Sequence, residues 1–306
     1  MWFKNLQIYR LSKPFDLSPE ELHEQLQQKE ARACGSLEMS TLGWVQPLGR
    51  SAELFTHAVG NCIMVCAQRE ERILPSAVVR EHLVEKVATI EEAEARKVRR
   101  REREEIKDEI LTDLMPRAFT KSSATYAYID TKGGWLVVDA ASPKRAEELI
   151  TLLRETLGSL PLKPLEVANS PASVMTAWLK GLEPAADFVI QDECELRDML
   201  EEGGIIRCRR QDLEGEEIRV HLDAGKQVVR LALEWHDRLA MVLTEDLSVK
   251  RLKFMDVIQE EAAEAETEDE AARFDVDFSL MSLELGRFIP RLVEIFGGLL
   301  EDDQGG

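Results

Sequence analysis

The chain has 306 residues, 44% of them hydrophobic, and a formal net charge of −19. That is enough apolar material for two or three packed units, while no run is long and apolar enough to cross a bilayer and Met1-Trp2-Phe3-Lys4-Asn5 lacks a signal-peptide core. Five scattered cysteines, Cys34, Cys62, Cys66, Cys194 and Cys208, read as reduced thiols of a cytoplasmic protein, and a uniformly acidic surface would repel phosphates.

Phe3 to Tyr9 reads as a strand. Ser18-Pro19-Glu20-Glu21 has the cap, first-turn proline and capping-box acid of a helix start, with Leu22 and Leu26 facing inward. Trp44 to Leu48, Glu53 to His57 and Asn61 to Gln68 follow as short strands of an antiparallel meander. His57, Cys62 and Cys66 lie near one another, but Cys62-Ile63-Met64-Val65-Cys66 is an apolar run expected to be a buried strand, and a structural zinc site wants four ligands.

From Ser76 to Met115 no Gly or Pro interrupts a helical pattern that Pro116 stops, so an unbroken rod of about 40 residues would reach roughly 60 Å. Its apolar positions, Val78, Val79, Leu83, Val87 and Ile90, are read in the first half only; the second carries Arg96, Lys97, Arg99, Arg100, Arg101, Arg103 and Lys107. At 100° per residue Arg96, Arg99, Arg100, Arg103 and Lys107 fall on one side and Glu105 and Glu109 on the other. The basic half is expected to project as an arm, or as two shorter helices with a bend. It is either a solvated helix with i,i+4 ion pairs or a phosphate-contacting surface.

After the arm, Ala124 to Asp130 and Trp135 to Asp139 flank Thr131-Lys132-Gly133-Gly134 as a hairpin. Ser142-Pro143 starts a helix with a leucine stripe that ends at Gly158, and Ser170-Pro171 starts another that ends near Gly181. In the second half Phe188 to Asp192, Ile205 to Arg209, Ile218 to Leu222, Val228 to Glu234, Leu239 to Leu243 and Leu252 to Phe254 read as strands. A final helix runs through Leu283, Phe288, Leu292 and Ile295. The fold class is therefore α+β, antiparallel sheets with flanking helices and a projecting helical arm. The expected division is a discontinuous central domain (1–75 with 117–182), the arm (76–116) and a second α+β domain (183–306).

Acid and base are segregated: residues 260–270 and Glu301-Asp302-Asp303 gather negative charge away from the arm. Phosphate-loop, dinucleotide, HExxH and GxSxG signals are absent. The best catalytic constellation is acidic. Asp130 and Asp139 on facing strands with Lys132 between them, or Glu234 near Asp237, would bind Mg²⁺ for phosphodiester cleavage, although carboxylates at strand ends are common in any soluble sheet.

Several separate words then carry a resemblance. Met1-Trp2-Phe3-Lys4-Asn5-Leu6, Cys34-Gly35-Ser36, Gly43-Trp44-Val45, Leu114-Met115-Pro116-Arg117-Ala118-Phe119, Ile206-Arg207-Cys208-Arg209-Arg210-Gln211 and Lys250-Arg251-Leu252-Lys253-Phe254, in this order, resemble the bacterial recombination-associated RdgC family over nearly the whole chain. The resemblance implies a non-enzymatic, sequence-independent binder of double-stranded DNA in the nucleoid, with single-stranded DNA as a second substrate to test, and without cofactor or metal. It implies a ring-shaped homodimer around duplex DNA that limits access of the RecA recombinase. Contacts between copies would fall at Phe119, Arg210 and Gln211. The expected DNA-facing set is the arm's basic residues with Arg117, Arg207, Arg209, Lys226, Lys250, Arg251 and Lys253, Arg207 and Arg209 sharing one strand face.

Overall fold

The computed structural model describes residues 1–49, 52–200, 203–264 and 269–300. Its frame is one antiparallel sheet of twelve strands, where separate sheets were expected. Strands β1 (Leu6–Leu11), β2 (Ser40–Val45), β3 (Thr56–Val59), β4 (Cys62–Ile73), β5 (Phe119–Asp130), β6 (Trp135–Asp139) and β7 (Leu162–Pro164) build the first half. The second half is β8 (Phe188–Arg197), β9 (Ile205–Arg209), β10 (Gln227–Trp235), β11 (Leu239–Thr244) and β12 (Val249–Phe254). The order is β2-β4-β5-β6-β1-β12-β11-β10-β8-β9, with β3 on β4 and β7 on β1. The halves meet where Leu6 of β1 pairs with Val249 of β12. There the Leu252 N–H donates to the Lys4 carbonyl at 2.8 Å, and the Ser248 hydroxyl donates to Gln7 in a buried bond of 3.1 Å.

Eight helices accompany the sheet among the described residues: α1 (Pro19–Gln27), α2 (Ser76–Glu94), α3 (Arg100–Leu114), α4 (Pro143–Leu157), α5 (Pro171–Leu179), α6 (Glu216–Asp223), α7 (Asp256–Ala263) and α8 (Glu270–Ile295). Local signals set their starts. Ser18 accepts from the Glu21 N–H while the Glu21 carboxylate accepts from the Ser18 N–H, and Ser142 and Ser170 cap α4 and α5 ahead of Pro143 and Pro171. α1 and α4 cover one face of the first half, packing Leu22, Leu26, Leu149, Ile150 and Leu153 against Ile63, Val65, Ile129 and Val138. α8 lies on the other face and runs under both halves. Phe278 meets Tyr128, and Phe288 meets Phe188 and Trp235.

Two expectations need correction. Ile218 to Leu222 is not a strand but the centre of α6: after Gly215, Glu216 and Glu217 occupy the first turn, and Ile218 and Leu222 are buried at the i,i+4 spacing of a helix. The segment 76–115 is not an unbroken rod; of the two expected forms it takes the second, two shorter helices, with a full reversal of the chain between them. α2 ends at Ala95 in the left-handed region, φ 51, and the Glu91 carboxylate receives the Val98 N–H and the Lys97 ammonium as the chain reverses. α3 then packs back on α2, burying Val79 and Leu83 against Ile106 and Ile110. The second half of this segment is therefore apolar too, on a stripe that a straight rod would leave in water. These side chains form a cluster of their own, apart from the two sheet cores. Residues 265–268 of the acidic stretch and Glu301-Asp302-Asp303 lie outside the described residues.

One ion pair ties α8 to the sheet. Asp187, just before β8, accepts two hydrogen bonds of 2.8 Å from Arg291 and one of 3.1 Å from the Trp235 indole. The Arg291 hydrogen bonds hold its carboxyl well below the usual range against the opposing effect of burial. A depressed folded pKa gives stability that is complete above the unfolded value and is lost as pH falls below about 4. Asp187→Asn should therefore lower unfolding free energy at pH 7 by about 2 kcal/mol. In urea melts the difference between the two proteins should shrink at pH 3.

Candidate nucleic-acid interface

In the second half the sheet face that continues the one under α1 and α4 is open. Because side chains alternate along a strand, Glu193, Glu195 and Arg197 of β8 point the same way, and the register sets Arg209 opposite Glu193, Arg207 opposite Glu195, and Arg230 of β10 across from Glu195. Arg207 and Arg209 thus share this face. β12 adds Lys250 and Arg251 side by side, because Arg251 takes φ 51 where the register with β11 shifts. Two adjoining hollows result. One of about 200 Å³ is lined by Glu193, Glu195, Arg207, Arg209 and Arg230; the other, about 620 Å³, is lined by Asn5, Pro143, Arg197, Arg207, Arg230, Thr244, Lys250 and Arg251. The amino end of α4 borders the second hollow at Pro143 and adds the positive end of its dipole.

Glu195 is the pivot of this cleft. Its side chain is only 6% exposed, and it accepts from Arg207 at 2.8 Å and Arg197 at 3.4 Å, with Arg230 at 3.9 Å. Burial pushes its carboxyl up, but the Arg207 hydrogen bond and the charges of Arg207 and Arg230 outweigh burial and leave it below its ordinary value. Glu193 holds Arg251 at 2.7 Å and Arg209 at 3.7 Å. Lys250 donates to the Ala141 carbonyl at 3.0 Å, and burial pushes its ammonium below the usual value. Six cations gather here around Glu193, Glu195, Glu245 and Asp246. Lys253 is exposed on the neighbouring part of β12, opposite Ala240. Lys226 is drawn to Asp198 at 3.4 Å and does not line the cleft. Arg230 and Arg197 were missed in the sequence. The available signal was a lone arginine inside the apolar run Val228-Val229-Arg230-Leu231-Ala232-Leu233.

The arm differs from the expectation of one basic side. Residues 76–116 hold nine Lys and Arg against eleven Asp and Glu. Arg96 sits in the turn between α2 and α3 rather than on a helix, and is paired with Glu94 and Glu102. Lys97 is held by Glu91 at 2.6 Å and Arg101 by Glu105 at 3.2 Å. Arg99, Arg100, Arg103 and Lys107 have no ion-pair partner among the described residues. Arg117 is exposed on the short 3-10 turn Met115–Arg117 at the arm's root.

Phe119 opens β5 with 85% of its surface exposed, opposite Ile73, so it is not a core aromatic of this chain. Arg210 leaves β9 at φ 54, and Gln211 follows it on the rim of a hollow of about 520 Å³ that contains Trp178 and Leu213. Phe119 and Arg210-Gln211 are not brought together. Seven strand-to-strand steps separate β5 from β9, about 34 Å across the sheet at ~4.8 Å each.

The carboxylates considered for Mg²⁺ do not assemble. Asp130 faces Trp135 and accepts the Lys132 and Gly133 N–H groups of its own turn. Asp139, at the other end of β6 and about 13 Å along the strand, accepts from Lys4 and Asn5; burial still raises its carboxyl. Glu234, before the β10–β11 turn, accepts from the Gln191 amide at 3.3 Å, and burial together with the nearby Asp237 carboxylate raises its carboxyl. No group of three or more metal-ligating side chains occurs among the described residues. Cys62 and Cys66 lie buried in β4, where burial pushes both thiols up to about 12.

The fold and the cleft define an α+β protein with a basic face on the open side of its sheet. The chain belongs to the RdgC family: the model of that family, described as "Putative exonuclease, RdgC", matches residues 1–299. It is similar to proteins named recombination-associated protein RdgC. That of Tolumonas auensis is 46% identical over 97% of this chain and 99% of its own length, and that of Aeromonas hydrophila is 46% identical over 97% and 98%. The Yersinia enterocolitica protein is 45% identical over the same shares as the Aeromonas one.

Glu195→Gln removes the negative charge that Arg197, Arg207 and Arg230 surround and leaves the three cations facing one another, so the variant should fold but lose about 1–3 kcal/mol of stability in urea melts. The variant should elute from heparin at higher salt than the parent. Earlier elution from a variant that still unfolds cooperatively would mean that the carboxylate is needed to array the arginines.

Proposed function

We propose that this chain is a DNA-binding protein without sequence preference that acts in recombination. In this reading it encircles duplex DNA as a ring-shaped homodimer in the nucleoid and limits access of the RecA recombinase to that DNA. The observation that carries the reading is the cleft: in a chain of net charge −19, six cations converge on one open sheet face. Arginine and lysine arrayed on a sheet meet the repeating phosphates of a backbone and read no base edges, which suits sequence-independent binding. The name of the relatives, recombination-associated protein, supports the process. Exposed Phe119 near one end of the sheet and Arg210-Gln211 at the other support two separate contacts between copies, the arrangement a two-fold axis needs to close a ring. The central, arm and second domains read from the sequence would form each half of that ring.

Enclosure matters because fields from exposed charges decay over ~8 Å at physiological ionic strength, and a single open face holds duplex weakly. In a ring, the second set of contacts acts at high effective concentration, and release from a closed circle requires an interface to open.

Two expected outcomes test the reading. Replacing Arg207, Arg209 and Arg251 with alanine should weaken binding alike for all duplex sequences and flatten the salt dependence by about 0.9 in slope per lost contact. The triple change of Arg96, Lys97 and Arg101 should leave the slope near the parent value, since each of these has a carboxylate of its own within the arm, whereas the six cations of the cleft share four acids. The second outcome concerns closure. Phe119→Ser, which removes no charge, should split the dimer in sedimentation and abolish the preferential retention of closed circular plasmid over linear duplex, with circular dichroism unchanged. A folded, monomeric variant that still holds circles as tightly as the parent would sink the encirclement mechanism.

A further inference from the structure

Arg72, near the end of β4, has no acidic partner among the described residues, yet all of its side-chain N–H donors are used. Nε donates to the Glu38 carbonyl at 3.2 Å. One terminal nitrogen donates to the carbonyls of Met115 at 2.7 Å and Ala118 at 3.3 Å, and the other to those of Gly35 at 2.9 Å and Cys34 at 3.4 Å. The backbone N–H of Arg72 adds a bond of 2.8 Å to the Met39 carbonyl. One planar side chain therefore joins two segments remote in sequence, the loop 34–39 and the root of the arm at 115–118. Met115 is the C-cap of α3, so its carbonyl lies at the negative end of that helix, where a fixed cation is favourable. Ala118 immediately precedes Phe119.

We propose that Arg72 is the positioning residue that sets the arm and Phe119 on the sheet. The proposal rests on the reading of Phe119 as a contact between copies and names what holds that contact in place. The segments that Arg72 gathers each present an exposed apolar side chain beside its bonds: Leu37 and Met39 from the loop, Ile73 next to it on β4, and Phe119 from the arm's root. With the guanidinium in place, these residues and the arm move as one body with the end of β4. Lysine keeps the charge but offers its donors from a single point, and cannot reach both segments at once.

The test uses the full chain with Arg72→Lys and Arg72→Ala, followed by hydrogen exchange and by retention on closed circular plasmid. In Arg72→Lys the amides of 34–39 and of 115–119 should both exchange at least tenfold faster while β1, β6 and α4 exchange as in the parent, and retention on circles should fall to the level of Phe119→Ser. If Arg72→Ala loses its circular dichroism signal, Arg72→Lys alone decides. Parent-like exchange in either segment overturns the proposal, as does loosening of both segments with parent-like retention. Should Phe119→Ser itself hold circles like the parent, the encirclement reading fails, and the exchange measurement still decides whether Arg72 joins loop and arm.

Discussion

The seam between β1 and β12 is the constraint on which the rest of the molecule depends. Only there do the two runs of strands join into one sheet, and the alternation of faces carries across it. Leu6 and Val249 point to the side covered by α8, while Gln7 and Ser248 point to the other. Leaving either buried polar group unpaired would cost ~1–3 kcal/mol, so their hydrogen bond favours this register over a slipped one. A slip of one residue would turn Lys250 into the core and Val249 to solvent. With the register fixed, the face under α1 and α4 runs on past the seam as an uncovered floor, and the cleft begins beside the amino end of α4, at Ala141 and Pro143.

Charge is organised on that floor in a way that net charge hides. Six cations on adjacent strands would repel one another; Glu193 and Glu195 set between them make the array tolerable and fix where each guanidinium points. With Glu245 and Asp246, four acids stand among six cations, which leaves the floor positive. In the arm the balance is reversed: acids outnumber bases and the strongest pairs are internal, so it offers less attraction to a polyanion than its run of arginines implies. A chain that is acidic as a whole can still present one basic surface.

Much of the fold was legible because its signals are local. The capping box at Ser18, the serine and proline pairs before α4 and α5, the Gly133-Gly134 turn and the leucine stripe of α4 each act within a few residues, and each forms the expected element. What was not legible depends on partners remote in the chain. Joining of β1 to β12 has no signature in periodicity, and neither does the packing of α3 on α2, which turned an apparent basic rod into a helical hairpin that pairs Arg96, Lys97 and Arg101 with acids of its own. α6 was misread because a short Ile-Arg-Val-His-Leu stretch fits both periods, and only the burial of Ile218 and Leu222 together decides for helix. At the site, Arg207, Arg209, Lys250 and Arg251 could be anticipated as a set. For Arg230 the only local signal was a lone arginine in an apolar run; its role, facing Glu195 across a strand pair, depends on a partner remote in the chain. The family words were the one long-range signal in the sequence, and Arg72 gives two of them a physical link, because four of the five carbonyls its side chain binds lie in the Cys34-Gly35 and Met115 to Ala118 words.

The central claim is that duplex DNA passes through a closed pair of chains and lies against the floor of β8 to β12. Imaging the protein on a short duplex by electron microscopy tests this most directly. The account predicts a two-copy closed particle with the duplex through its opening, the open face of β8 to β12 lining that opening, and density joining the copies at Phe119 and at Arg210-Gln211. A particle in which one copy lies along the outside of the duplex, or in which the arm alone touches it, would contradict the account.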